Sequence, residues 1–93
     1  MENKKMYALT WCYEGCDDNY AHAVTMAVSY DKDKLIQKMK EWVEKDCEVD
    51  EDDNWNEDKN FEVYHDYGTQ INLQHKFRTN LYTAYTINEV EIV

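Results

Sequence analysis

The chain has no proline, two glycines, one serine and one arginine among its 93 residues. With Gly15 and Gly68 as the only glycines and no proline to break it, most of the chain is free to adopt regular structure. Arg78 stands alone beside nine lysines, while Asp and Glu together number 20, for a net charge of −10. Phosphate affinity comes from clustered Lys and Arg, so the charge argues against a direct, autonomous nucleic-acid binder, and adhesion to an anionic membrane surface is disfavoured for the same reason. No apolar run is long enough to span a bilayer, and no basic-then-apolar signal peptide opens the sequence. Cys12, Cys16 and Cys47 are odd in number and lack paired spacing, a poor disulfide framework. These absences lead to the expectation of a cytoplasmic protein with three free thiols.

Aliphatic residues are also scarce. Ile, Leu, Val and Phe number 17, a level that combined with high net charge is typical of disordered chains. Eight Tyr, three Trp and four Met supply the missing apolar area, and an aromatic ring buries far more surface than a valine. The apolar residues are periodic as well, so residues 1–93 are expected to form a single folded domain.

Lys5 to Tyr13 is apolar on both alternating faces, as in a central strand covered on both sides. Glu14 to Asn19 has turn composition. From Tyr20 to Tyr30 the period is two: Tyr20, His22, Val24, Met26, Val28 and Tyr30 share one face. The other face is small throughout, which suits either close approach by another element or solvent. Asp31 is a good helix N-cap, and Leu35, Ile36, Met39, Trp42 and Val43 form one buried stripe of a helix from about Lys32 to Lys45. Asn60 to Asp66 and Thr69 to Phe77 alternate again around a turn at Tyr67–Gly68, and Leu81 to Val93 forms the last strand after a hairpin loop at Arg78–Asn80. Its phase slips near Asn88, which predicts a β-bulge or bend there. The order ββαβββ predicts an α+β fold: one antiparallel sheet of about five strands with a single helix packed on one face.

Few residues in the sequence offer chemistry. Ser29 lies in a strand with no glycine-flanked elbow. Cys12 and Cys16 can approach His22 only across a hairpin, and Cys-x3-Cys lacks a second ligand pair at zinc spacing. His65 and His75 fall on adjacent strands, on the face of Phe61, Val63, Ile71 and Leu73, where they read as structural histidines. Asp50-x-Asp52-x-Asn54 matches the start of a calcium loop, but Trp55 stands where glycine is needed and Phe61 where a bidentate Glu is needed. No carboxylate is singled out as an acid with a raised pKa, and no phosphate loop is present. No enzyme activity, metal or cofactor is expected.

The charge itself is uneven. Residues 1–45 carry −1, residues 59–93 carry −1, and residues 46–58 carry −8. That acidic segment is expected to be a solvated loop, because so many like charges repel in regular structure. Carboxylates beside an exposed aromatic are a recipe for protein recognition, since Tyr and Trp offer contact area at low entropy cost and charge steers a basic partner. The expected partner-binding residues are Asp50, Glu51, Asp52, Asp53, Trp55, Glu57 and Asp58, with Tyr64 and Tyr67; Tyr82 and Tyr85 complete the tyrosines expected at the surface. In size and acidity the chain resembles phage- or mobile-element-encoded inhibitors such as anti-CRISPR proteins and DNA mimics, a resemblance that no motif carries. The expected function is a small acidic module that docks on a basic protein surface. The alternative is a structural homodimer in which the last strand, ending in NEVEIV, pairs edge to edge.

Overall fold

A computed structural model of the chain describes residues 5–14, 22–78 and 81–91. The elements are β1 (Met6–Glu14), β2 (His22–Ser29), α1 (Lys32–Asp46), β3 (Phe61–Asp66), β4 (Gln70–His75) and β5 (Tyr82–Val90). All pairings are antiparallel, in one five-stranded sheet of spatial order β2-β1-β5-β4-β3. This is the expected α+β architecture. The last strand, however, is not an edge. It inserts between β1 and β4, and it is paired on both sides from Tyr82 to Thr86. Thr83, Tyr85 and Ile87 need cover from the core layer, which a central strand obtains; the edges are β2 and the largely exposed β3.

The helix begins where the sequence signals it. Asp31 accepts hydrogen bonds from the N–H groups of Asp33 (3.0 Å) and Lys34 (3.4 Å), satisfying donors that the first turn leaves open. Ser29, the lone serine, accepts from the Asp31 N–H at 3.0 Å and so serves the turn into the helix. Leu35, Met39 and Val43 are buried, with Ile36 and Trp42 at the margin, against Leu9, Tyr85 and Ile87. The helix lies over β1, β2 and β5.

Two bulges change which side chains share a face. In β2 the register steps from Ala27 opposite Leu9 to Thr25 opposite Thr10, leaving Met26 as the extra residue. Ala27 packs against the core, where its small side chain admits the helix, but Ala23 is turned to the other side and Val24 moves to the helix side. The unbroken two-residue period expected over Tyr20 to Tyr30 therefore does not hold across the described part; Tyr20 and Ala21 lie outside the described residues. In β3 the step falls at Tyr64 and carries His65 off the face of Phe61 and Val63. His65 thus lies opposite Asn72, while His75 lies opposite Phe61, and the two histidines do not meet. The bulge expected near Asn88 is absent: β5 runs in continuous register with β1 from Tyr82 to Val90. Val90 is even-numbered because it points away from the core, at 38% exposure. β4 ends at His75, so Phe77 lies beyond it and is exposed.

β1 is interior to the sheet, yet the described residues cover only one of its faces. Tyr7, Leu9 and Trp11 look toward the helix. Met6, Ala8, Thr10 and Cys12 alternate with them and look the other way, as do Ala84, Thr86 and Val90 of β5 and Asn72 of β4. No described element lies over that second face. No helix of the described residues is long and apolar enough to cross a membrane.

Candidate functional site

The acidic segment leaves the helix at Cys47, whose N–H is bonded to the Val43 carbonyl at 2.9 Å, and it is organised by one buried residue, Asn60. Asn60 has φ of 66°, a left-handed conformation that Asn adopts more readily than other side chains. Its N–H donates to the Glu48 carbonyl (2.8 Å), and its own carbonyl accepts from Lys76 (2.9 Å). Its side-chain oxygen accepts from the Asp50 N–H (2.7 Å), and its amide nitrogen donates to the Asp53 carbonyl (3.0 Å). One side chain thereby clamps both ends of the carboxylate-rich turn onto the sheet.

Asp50 works inside the turn. Oδ1 accepts from the N–H groups of Asp52 and Asp53, both at 3.1 Å, and Oδ2 accepts from the Asn56 side-chain amide at 2.9 Å. The Asn56 hydrogen bond is the main reason this carboxyl is held below the usual carboxylate range. Asp53 accepts from the Trp55 N–H and Asn56 from the Asp58 N–H, so the loop is a chain of Asx turns. Asp50, the first position of the apparent calcium loop, is thus engaged with backbone and amide donors. Among the described residues, no three of His, Cys, Asp and Glu are grouped to hold a metal ion.

His75 and Arg78 fasten the loop from below. His75 is buried, its Nε2 lies 2.8 Å from the Asn56 carbonyl, and its Nδ1 accepts from the N–H groups of Phe77 and Arg78. Two donors aimed at Nδ1 leave Nε2 to carry the proton and donate to Asn56. The Arg78 guanidinium forms an ion pair with Glu57 and lies over the Trp55 ring, 5.5 Å from its centroid.

The expected binding residues are therefore divided. Glu51, Asp52, Asp53 and Asp58 are exposed on the loop, and Trp55 is 66% exposed. Asp50 is turned inward to its own turn, and Glu57 is shared with Arg78. Tyr64 and Tyr67 are exposed but belong to a separate aromatic row with His65, at centroid distances of 4.5 and 5.4 Å, toward the far end of β3. Six residues of strand at about 3.3 Å each separate the loop end of β3 from Tyr67, and the fold does not join that row to the acidic loop.

Tyr85 departs from its expected place at the surface. It is only 5% exposed, and its hydroxyl donates to Asp46 at 2.6 Å while its ring lies 6.1 Å from that of Trp42. Its odd-numbered phase, shared with Leu81 and Ile87, was the signal for burial. The hydroxyl is pushed upward in pKa by burial first and by the Asp46 carboxylate second. Asp46 is raised as well: burial raises it, the Tyr85 hydrogen bond partly offsets this, and Asp58 raises it further.

Asp46 borders a cleft of about 260 Å³ between the helix end, the acidic loop and the sheet. Trp11, Tyr13 and Phe61 give it aromatic walls, and Asp46, Glu57 and Asp58 give it carboxylates. Trp11 and Tyr13 stack at 4.5 Å between centroids. The Trp11 indole N–H donates to the Thr83 hydroxyl, which in turn donates to the Cys12 carbonyl at 3.1 Å, so the indole is held at one orientation.

Comparison with known protein families, with curated proteins and with solved structures finds no match. The chemistry of the cleft has to speak for itself. Aromatic faces and carboxylates both attract cations, and they do so more strongly where water is partly excluded. A volume near 260 Å³ lies below the range of pockets for drug-sized molecules and suits a single side chain. Among the described residues no cysteine or serine lines it, and the Cys47 thiol next to Asp46 in sequence is half-buried, with burial and then Asp46 pushing its pKa up and disfavouring the reactive thiolate. Cys16 and the His22 side chain lie outside the described residues. Sequence reading missed Trp11, Tyr13, Phe61 and Asp46 as site residues, because nothing local says that the end of β1 and the end of the helix converge.

Asp46 yields a pH prediction. Its folded pKa is raised, so the folded chain holds this proton more tightly than the unfolded chain does. The resulting stabilisation is full below the unfolded value and is lost as pH rises through the folded value. Asp46→Asn keeps an acceptor for the Tyr85 hydroxyl and removes the titration. Urea denaturation from about pH 3 to about pH 7 should show the variant gaining on the wild type as pH rises. A constant difference would refute the assignment.

Proposed function

We propose that the protein is a small cytoplasmic module that binds a basic surface of another protein, and that a lysine or arginine side chain of that partner enters the cleft between Trp11, Phe61 and Asp58. The single observation behind this reading is the pairing of aromatic walls with three carboxylates in a cleft sized for one side chain. The exposed acids of the loop lie beside it and supply long-range steering. Asn60 and His75 hold them in one arrangement before a partner arrives, which lowers the ordering cost of binding. A fixed array of carboxylates also imitates the charge of a nucleic-acid backbone, which is how a protein of this kind would occupy a nucleic-acid-binding surface.

The test is an NMR titration of the purified chain with a short lysine-rich peptide, an arginine-rich peptide and a lysine-acetylated control. The basic peptides should shift the Trp11 indole N–H signal, and the acetylated peptide should not. Affinity should fall by about tenfold or more between about 50 and about 500 mM salt, as screening removes the steering and contact terms. Asp58→Asn should weaken binding by about threefold to tenfold, the range of one partly exposed charge contact. If the basic peptides leave the indole signal unmoved, the cleft is not the binding site.

A further inference from the structure

The second face of the sheet carries a different message from the acidic side. About a third of the chain is charged, at 32%. Yet from Met6 to Cys12 on β1, and over the outward positions of β2, β4 and β5, there is no Asp, Glu, Lys or Arg. Charge returns only at the margins, at Glu14 in the register of β1 and on edge strand β3. A sheet face meant for water in so charged a protein would carry Lys and Glu, as solvent-facing strands commonly do. This one carries alanine, threonine, asparagine and glutamine around exposed apolar groups: Val28 at 56%, Met26 at 41%, Val90 at 38%. Loss of charge from the centre of a patch is the compositional mark of an interface core.

We propose that this face packs against the same face of a second copy of the chain, giving a dimer with two sheets inside and the helices and acidic loops outside. Charge selects the occupant. Two chains of net charge −10 repel unless they meet where neither carries charge. The acidic loop, tied to Asn60, Phe61 and His75, lies in the helix layer on the opposite side of the sheet. A basic partner, which the loop would attract, finds no carboxylate from Met6 to Cys12 of β1 or at the outward positions of β4 and β5 to pair with. The area approaches what a dimer needs: the four strands β2, β1, β5 and β4, about 4.8 Å apart and about 24 Å long, present roughly 460 Å² in projection, before side-chain relief is counted. A standard interface buries about 800 Å² of accessible surface per partner. The molecule is also elongated, with extents of 54 × 26 × 19 Å and a radius of gyration of 14.7 Å, where a compact domain of this length has about 12 Å. Two copies stacked through the bare face would form the aligned sandwich that sheets with one uncovered side adopt.

Sedimentation velocity on the purified full chain at micromolar concentration decides the matter. The expected species has twice the 11.2 kDa mass of the chain, and it should tighten as salt screens the residual repulsion. Ala84→Glu, at the middle of β5, should weaken self-association by at least about tenfold, because it places a carboxylate in each half of a desolvated patch. Val28→Glu, at a site already more than half exposed, guards against the trivial outcome in which Ala84→Glu fails to fold; circular dichroism of both variants checks the fold. A wild type that stays monomeric at about 100 μM, well above ordinary dissociation constants for such an interface, would overturn the proposal. So would a dimer indifferent to Val28→Glu and to a folded Ala84→Glu, which would point to edge pairing or another surface.

Discussion

Replacing Leu9 with alanine should destabilise the domain by about 3 to 4 kcal/mol, as expected for a fully buried leucine whose site cannot collapse. Leu9 is 0% exposed and lies at the centre of β1, opposite Ile87 on one side and Ala27 on the other, with the helix above. Among the described residues, the core cluster has ten buried apolar residues, Leu9 included. A core this small has few neighbours able to shift into the void, so the cavity term adds to the lost transfer term. A domain of this length is stable by only about 5 to 15 kcal/mol, so the loss is a large fraction of the whole. Urea denaturation should show a lower midpoint with an unchanged slope. A cost below about 1 kcal/mol would mean that the helix does not seat on β1 as described.

Asn60→Ala should cost about 3 kcal/mol and release the acidic loop. Two partly buried backbone groups, the Asp50 N–H and the Asp53 carbonyl, lose their partners at about 1 kcal/mol each. Holding alanine at a φ of 66° adds about 1 kcal/mol that Asn tolerates better. Asn60→Gly removes the same amide without the steric term, so it should recover part of the loss. Asn60→Asp has the same shape but should be no milder. It trades the donor to Asp53 for another negative charge buried beside a segment of net charge −8. Hydrogen exchange at the Asp52 and Asp53 amides should accelerate in all three variants while the helix amides stay protected. If the loop amides keep their protection, Asn60 is not the clamp.

These two residues mark the difference between what is readable along a chain and what is not. Leu9 sits in an apolar alternating run, and Leu35, Met39 and Val43 follow helical spacing after an Asp cap. Periodicity and capping are local, so they can be read one segment at a time. Asn60 carries no such signal, because its importance comes from bonds to Glu48, Asp50, Asp53 and Lys76, which lie up to sixteen positions away. The same holds for the acidic segment. Its charge was legible, but repulsion alone predicts a solvated loop, whereas Asn60, His75 and Arg78 supply enough fixed donors to hold it in a single arrangement.

The bulges show the limit of alternation as a guide to faces. A single extra residue at Met26 and at Tyr64 reverses which side chains point inward, and neither position is marked by glycine or by a break in the pattern. His65 and Val24 were misplaced for that reason. Near Asn88 the opposite happened: a change of apolar phase reflected Val90 turning to the uncovered face, with no irregularity in the backbone.

By itself, the sequence determined the ββαβββ order, the helix and its buried stripe, and the uneven charge, because each depends on residues that are neighbours along the chain. Only the tertiary structure decided that β5 enters between β1 and β4 rather than at an edge. That placement brings Trp11 and Tyr13 alongside Asp46, Asp58 and Phe61 and leaves the other side of the sheet without a charge from Met6 to Cys12 of β1 and at the outward positions of β4 and β5. Strand order depends on pairing between segments some seventy residues apart, and no local pattern encodes which strand will occupy the middle.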